Sequence, residues 1–155
     1  DTIMKIATLC FLVRNGEILL ALKKQKIGAG KWNGYGGGVE LHETVEETAV
    51  REVREEACVE IALAALDKRG VATFYFDGVP TCQVHIFFVR EWRGNPQETD
   101  EMGKPSWFLI EDIPYGEMLL ADKELFPLVL TQRDIVAHAY YNADATILLD
   151  FQRVN

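Results

Sequence analysis

Apolar residues crowd the first stretch of the chain, "IMKIATLCFLV" (3–13), where β-branched and aromatic side chains predict a strand. Asn15-Gly16 follows, the strongest short signal for a hairpin, and "EILLALKK" reads as the returning strand. Then the pattern breaks. "KIGAGKWNGYGGG" (26–38) holds six glycines, too many for a regular element, and predicts a loop or a closely approached backbone. Helical spacing sets in from about Thr44 to Ala57, and Thr44 with Glu47 three residues on has the form of a capping box. "GVATFYF", "CQVHIFFVREW" and "PSWFLI" read as strands, separated by turns at Asp77-Gly78 and Gly94-Asn95-Pro96. A second helix is expected from Lys123 to about Tyr141, with Pro127 tolerated near its start, and "TILLDFQRV" as a closing strand. No internal repeat or low-complexity tract interrupts the series. One mixed α+β domain over residues 1–155 is the expectation.

The first helix carries an unusual load. Six glutamates fall within the fourteen positions Glu43 to Glu56. On a wheel of about 100° per residue with Glu52 at zero, Val45, Glu56, Ala49 and Val53 fall at about +20°, +40°, +60° and +100°, and Glu55 at about −60°. Glu52 and Glu56 therefore share the apolar stripe, whereas a merely solvated helix would turn its acids away from it. Carboxylates at i, i+3 and i+4 on a half-buried face need a compensating cation to stay ionised. A hard divalent ion with oxygen ligands supplies one, and Mg²⁺ keeps waters and takes substrate phosphates as further ligands. The alternative is an acidic surface helix with i,i+4 pairs to Arg51 and Arg54.

Charge narrows the partners. With 24 Asp+Glu against 16 Lys+Arg, net −8, the chain lacks the basic balance that a nucleic-acid polymer requires. A small phosphorylated ligand remains compatible when metal ions bridge two negative partners. No apolar run approaches the roughly 18–20 residues that span a bilayer, so no membrane partner is expected. Cys10, Cys58 and Cys82 show no paired or metal-type spacing and read as free thiols, which points to the cytoplasm. His42, His85 and His138 share no ligand spacing.

Backbone without side chains lets a ligand come close, and exposed amides can cradle phosphate. Gly37, Glu43, Arg51-Glu52-Val53, Glu55-Glu56 and Cys58-Val59 stand at spacings that resemble the Nudix box. The resemblance extends over nearly the whole chain to the oxidised-purine nucleoside triphosphatase type, through "KKQKIGAGKWNGYGG", "FYFDGVP", "VHIFF", "TDEMGKPSWF", "IPYGEM" and "FPLVL". It implies the Nudix fold, an α/β/α sandwich with a mixed β-sheet flanked by helices. It further implies attack of metal-activated water on a phosphate chain, releasing a nucleoside monophosphate and pyrophosphate. Carried onto this sequence, Glu52, Glu55 and Glu56 would bind Mg²⁺ (or Mn²⁺), with the Gly36 carbonyl as a further ligand. Glu101 would join from a separate loop as ligand or proton acceptor, and Glu56 and Glu101 rank together as the general base. Gly37, Glu43 and Arg51 would be structural, the last two orienting the box by pairing. Asn33, Thr8, Lys23, Phe74, Leu119 and Asp122 would bind the nucleotide base. A monomer acting on a small nucleotide is implied.

Two departures from that family pattern stand out. Cys58 occupies the glycine position at the helix C-terminus, where a left-handed conformation costs a non-glycine residue on the order of 1 kcal/mol. Leu119-Leu120-Ala121-Asp122 replaces Trp-Pro-Asp-Asp, leaving one acid of two and an aliphatic side chain for an indole. Two competing readings are a Nudix hydrolase of ADP-ribose or dinucleoside polyphosphates, and a non-catalytic nucleotide sensor. Phe74 and Tyr75 occupy the region where ADP-ribose enzymes often carry proline, which weighs against the first. The intact Glu52, Glu55 and Glu56 weigh against the second.

Overall fold

A computed structural model describes residues 3–155. The first hairpin forms where Asn15-Gly16 signals it: β1 (Lys5–Arg14) and β2 (Glu17–Leu22) are antiparallel, with Asn15 and Gly16 both at positive φ. β3 is the two-residue strand Trp32–Asn33, inside the glycine-rich stretch. The helix α1 (Val45–Ala57) has the capping box: Glu47 N–H donates to Thr44 Oγ1 at 3.0 Å, and Thr44 N–H to Glu47 Oε1 at 2.9 Å. Strands β4 (Leu66–Phe76) and β5 (Val79–Val89) form a long hairpin across Asp77-Gly78, and β6 (Ser106–Leu109) lies beside β2.

The expected helix over Lys123–Tyr141 is wrong in its second half. Helix α2 (Asp122–Val129) lasts eight residues, and Ile135–Tyr141 is strand β7, paired in parallel with β4. "IVAHAYY" alternates buried and more exposed positions, which is the period of a strand. Asp134 at φ +56° turns the chain between the two. β8 (Leu148–Arg153) closes the sheet as expected.

The sheet runs β3-β2-β1-β5-β4-β7-β8, with β6 off that path on β2. The β1–β5 and β4–β7 pairs are parallel and the remaining pairs antiparallel, so the sheet is mixed. Alternation along the strands splits the core in two. Cys10, Leu12, Leu19, Ala21, Phe87 and Val89 face α1 through Ala49, Val53 and Ala57. Their neighbours Phe11, Val13, Ile18, Leu20, Ile86 and Phe88 face α2 through Leu125, Phe126 and Val129. Helix on sheet on helix is the resulting layering.

Candidate active site

The glycine-rich stretch is laid along β1. Cys10 and Tyr35 exchange backbone hydrogen bonds at 2.6 and 2.9 Å, and Thr8 N–H donates to the Gly37 carbonyl at 2.9 Å. Glycine is required at two of these positions by proximity: a Cβ on Gly36 would collide with the Thr8 carbonyl, and one on Gly37 would lie 2.6 Å from Glu52 Oε1. This bare backbone therefore reaches the acidic face of α1. Gly36 N–H donates to Glu56 Oε1 at 2.8 Å.

A third acid arrives from the segment between β5 and β6. Gln97 N–H donates to the Ala57 carbonyl and Thr99 Oγ1 to the Glu56 carbonyl, both at 2.9 Å. These bonds satisfy carbonyls left open at the helix end and set Glu101 against Glu56. The result is a cluster in which Glu52, Glu56 and Glu101 each present a carboxylate oxygen, all within 4.8 Å of one another. Glu52 and Glu56 are buried, Glu101 half-buried. Burial first, then a hydrogen bond shared with Glu101, pushes the Glu56 carboxyl up to about 8, and burial likewise raises Glu52. Burial and the neighbouring acids thus favour the neutral carboxyl at Glu56. Three hard oxygen donors gathered in that way suit a divalent cation, which would replace the proton.

Arg51 braces the cluster from behind. Its Nε and second terminal nitrogen grip Glu43 at 2.7 and 3.0 Å, and its other terminal nitrogen reaches Glu52 at 2.8 Å and Glu55 at 3.3 Å. Hydrogen bonding from Arg51 holds the Glu43 carboxyl down to about 2. Glu55 is the box glutamate that the structure leaves outside the three-acid cluster: it is exposed, with its carboxylate toward Arg51. The wheel places it there, about 60° off the stripe.

The residues expected to meet the base gather in part. Leu119 and Lys23 both approach Gly28, 3.7 and 3.8 Å from where its Cβ would stand. The Lys23 ammonium is pushed below its usual range, chiefly by burial, and feels both Glu56 and Glu101, so this lysine lies near the acids. Asp122, at the start of α2, is buried, its Oδ2 has no hydrogen-bond partner, and burial pushes its carboxyl up to about 7. Phe74 stacks on Tyr141 at 6.3 Å, in a small cluster that includes Ala121. Asn33 Oδ1 accepts Gly34 N–H at 2.9 Å, a turn bond that leaves its amide NH₂ to be donated. Thr8 is buried with an unpartnered hydroxyl, and shares strand parity with Cys10 and Leu12 on the α1 side; Leu9 is the β1 residue that packs on the same core as Phe74.

The Nudix domain profile matches residues 4–129. The chain belongs to the Nudix family. It is 39% identical over 145 residues to the oxidized purine nucleoside triphosphate hydrolase of Danio rerio, covering 93% of this chain and 91% of that protein. The Mus musculus oxidized purine nucleoside triphosphate hydrolase is 37% identical with the same coverage. Among solved structures, a MutT protein from Bacillus halodurans superposes with a TM-score of 0.81 at 24% identity, over 96% of this chain and 97% of that one. The fold is thus the Nudix fold, and the chain is a Nudix hydrolase. Tyr141, packed with Phe74 and bonded to Ala121 N–H, is the neighbour of Asp122 that the sequence did not offer, because it fell inside a mistaken helix; its period-two relation to Ala139 and Ala137 was the available signal.

Proposed function

We propose that this Nudix hydrolase cleaves purine nucleoside triphosphates, oxidised ones included, to the nucleoside monophosphate and pyrophosphate, as a Mg²⁺-dependent cytoplasmic monomer that also accepts Mn²⁺. The observation that carries the reading is the gathering of Glu52, Glu56 and Glu101 within 4.8 Å at the mouth of the glycine-rich loop. The names of the Danio and Mus relatives support the substrate class.

Glu52, Glu56 and Glu101 would hold the cation, with Glu55 and the Gly36 carbonyl completing its surroundings. A bound divalent ion supplies charge neutralisation at the phosphates and acidifies a coordinated water. Glu56 or Glu101 would accept the proton of the attacking water, their carboxylate oxygens lying within 4.8 Å of each other. Arg51 keeps Glu52 in place through the 2.8 Å bond and Glu43 keeps Arg51 in place. Lys23, near the acids, offers a cation to the phosphate chain. Base binding falls to Asp122, Phe74 and Leu119, with Asn33 toward the loop, while Thr8 lies on the α1 side of the sheet.

A panel of canonical and oxidised nucleoside triphosphates, with ADP-ribose as control, tests this. The expected result is release of pyrophosphate from purine triphosphates in Mg²⁺, abolished by EDTA. Preference for ADP-ribose, or turnover that survives EDTA, would contradict it.

A further inference from the structure

Asp122 is the buried acid of the pocket, yet no side chain holds it. Its Oδ2 is unpartnered, and Ala121, which starts α2, offers no side-chain cap. The position of the carboxylate therefore depends on how the helix start is pinned. Two bonds do this from outside the helix: Asp122 N–H donates to the Leu119 carbonyl at 3.0 Å, and a side chain supplies the other. Ala121 N–H donates to the Tyr141 hydroxyl at 3.0 Å, in a buried setting. Tyr141 is itself held by its neighbours on β4, stacked on Phe74 at 6.3 Å and on Phe76 at 5.6 Å. A three-part brace results, from β4 through Tyr141 to the residue before Asp122.

The brace uses only an oxygen lone pair of the phenol. Its own O–H remains to be donated. Burial pushes the Tyr141 phenol above its usual range and the nearby Asp122 charge adds to that, so it stays a proton donor at neutral pH. A phenol that can donate thus bonds the residue next to an acid that can accept, with Phe74 stacked on the phenol. A 6-oxopurine edge carries the complement, an oxo acceptor next to a ring N–H.

We propose that Tyr141 is a specificity-determining residue, whose hydroxyl works with Asp122 to bind a 6-oxopurine edge. The proposal rests on the reading of this region as the base pocket of a nucleotide hydrolase.

The test is Tyr141→Phe, which keeps the ring and its stack and removes the hydroxyl alone. Calorimetric binding of dGMP and dCMP, which needs no turnover, is measured beside kcat and KM for dGTP in Mg²⁺. The expected result is a roughly tenfold weaker dGMP affinity, unchanged dCMP affinity, and a matching loss in kcat/KM that falls on KM. Adding Asp122→Asn should cost less than the two single losses combined, since both groups serve one ligand edge. Equal dGMP affinity in wild type and variant would overturn the proposal, and so would an equal loss for dGMP and dCMP, the mark of a merely structural residue. The two readings fail separately. Hydrolysis of dGTP with no effect of Tyr141→Phe sinks only this inference. Tyr141-dependent dGMP binding without dGTP hydrolysis sinks only the proposed reaction.

Discussion

The two ends of this site are built on opposite rules. At the α1 end, every acid has company: Glu43, Glu52 and Glu55 share Arg51, and Glu56 takes a backbone N–H and shares a hydrogen bond with Glu101. At the α2 end, a single carboxylate is buried with one oxygen wholly unmet. Each end holds a carboxyl raised above its usual range, but from different sources. Crowding of like charge adds to burial at Glu56, while burial alone raises Asp122. Crowded acids ask for a cation, whereas an isolated buried acid asks for a hydrogen-bond donor. The proposed metal end and the proposed base end are thereby distinguishable by electrostatics.

The largest expected effect comes from the crowded end. Glu56→Gln removes a cluster ligand and a candidate proton acceptor together, and should lower kcat on the order of 10³-fold; steady-state turnover within tenfold of wild type would remove Glu56 from the chemistry. Arg51→Ala tests whether the brace is needed. It leaves buried Glu52 and half-buried Glu43 without their shared cation, and Glu55 without it at the surface, so denaturant unfolding should show a loss of about 3 kcal/mol. A loss under about 1 kcal/mol would mean that solvent already screens those acids.

Asp122→Asn probes the isolated end through pH. A carboxyl raised to about 7 by folding binds its proton more tightly than the unfolded chain does. The stability this contributes is complete below the unfolded value near 3.9 and is lost as pH rises toward 7. Asn cannot ionise, so the variant should gain on wild type by roughly 2–3 kcal/mol between pH 5 and pH 8 in paired thermal melts. A parallel pair of stability profiles would show that Asp122 is not desolvated. The same substitution should reduce purine selectivity more than general hydrolysis, and an equal loss on every triphosphate would deny it a part in base reading. The smallest effect belongs to Cys58, the α1 cap at φ +61°. Cys58→Gly should stabilise by about 0.5–1 kcal/mol, with activity kept, and destabilisation would mean the left-handed cap is not strained.

How much of this was legible in the chain differs between the same two ends. The metal end is local in sequence: glycines, capping box and helix follow one another within residues 26–58, and helical geometry alone puts Glu52 and Glu56 inward and Glu55 outward. Only Glu101 needed the tertiary fold, through bonds from Gln97 and Thr99 to the end of α1. The base end is assembled from β2, β4, α2 and β7, which no spacing rule connects. There helix α2 ends at Val129, and "IVAHAYY" alternates with the period of a strand where a helix is expected. Tyr141 was hidden for that reason, and its bond to Ala121 links residues twenty apart.

The account's central claim is that Glu52, Glu56 and Glu101 are gathered to hold a divalent cation. Calorimetric titration with Mg²⁺, in the presence of a non-hydrolysable triphosphate analogue, measures that directly. Wild-type protein should bind the ion, and Glu52→Gln and Glu56→Gln should each weaken binding by at least about tenfold. Unaltered Mg²⁺ affinity in both variants would contradict the claim.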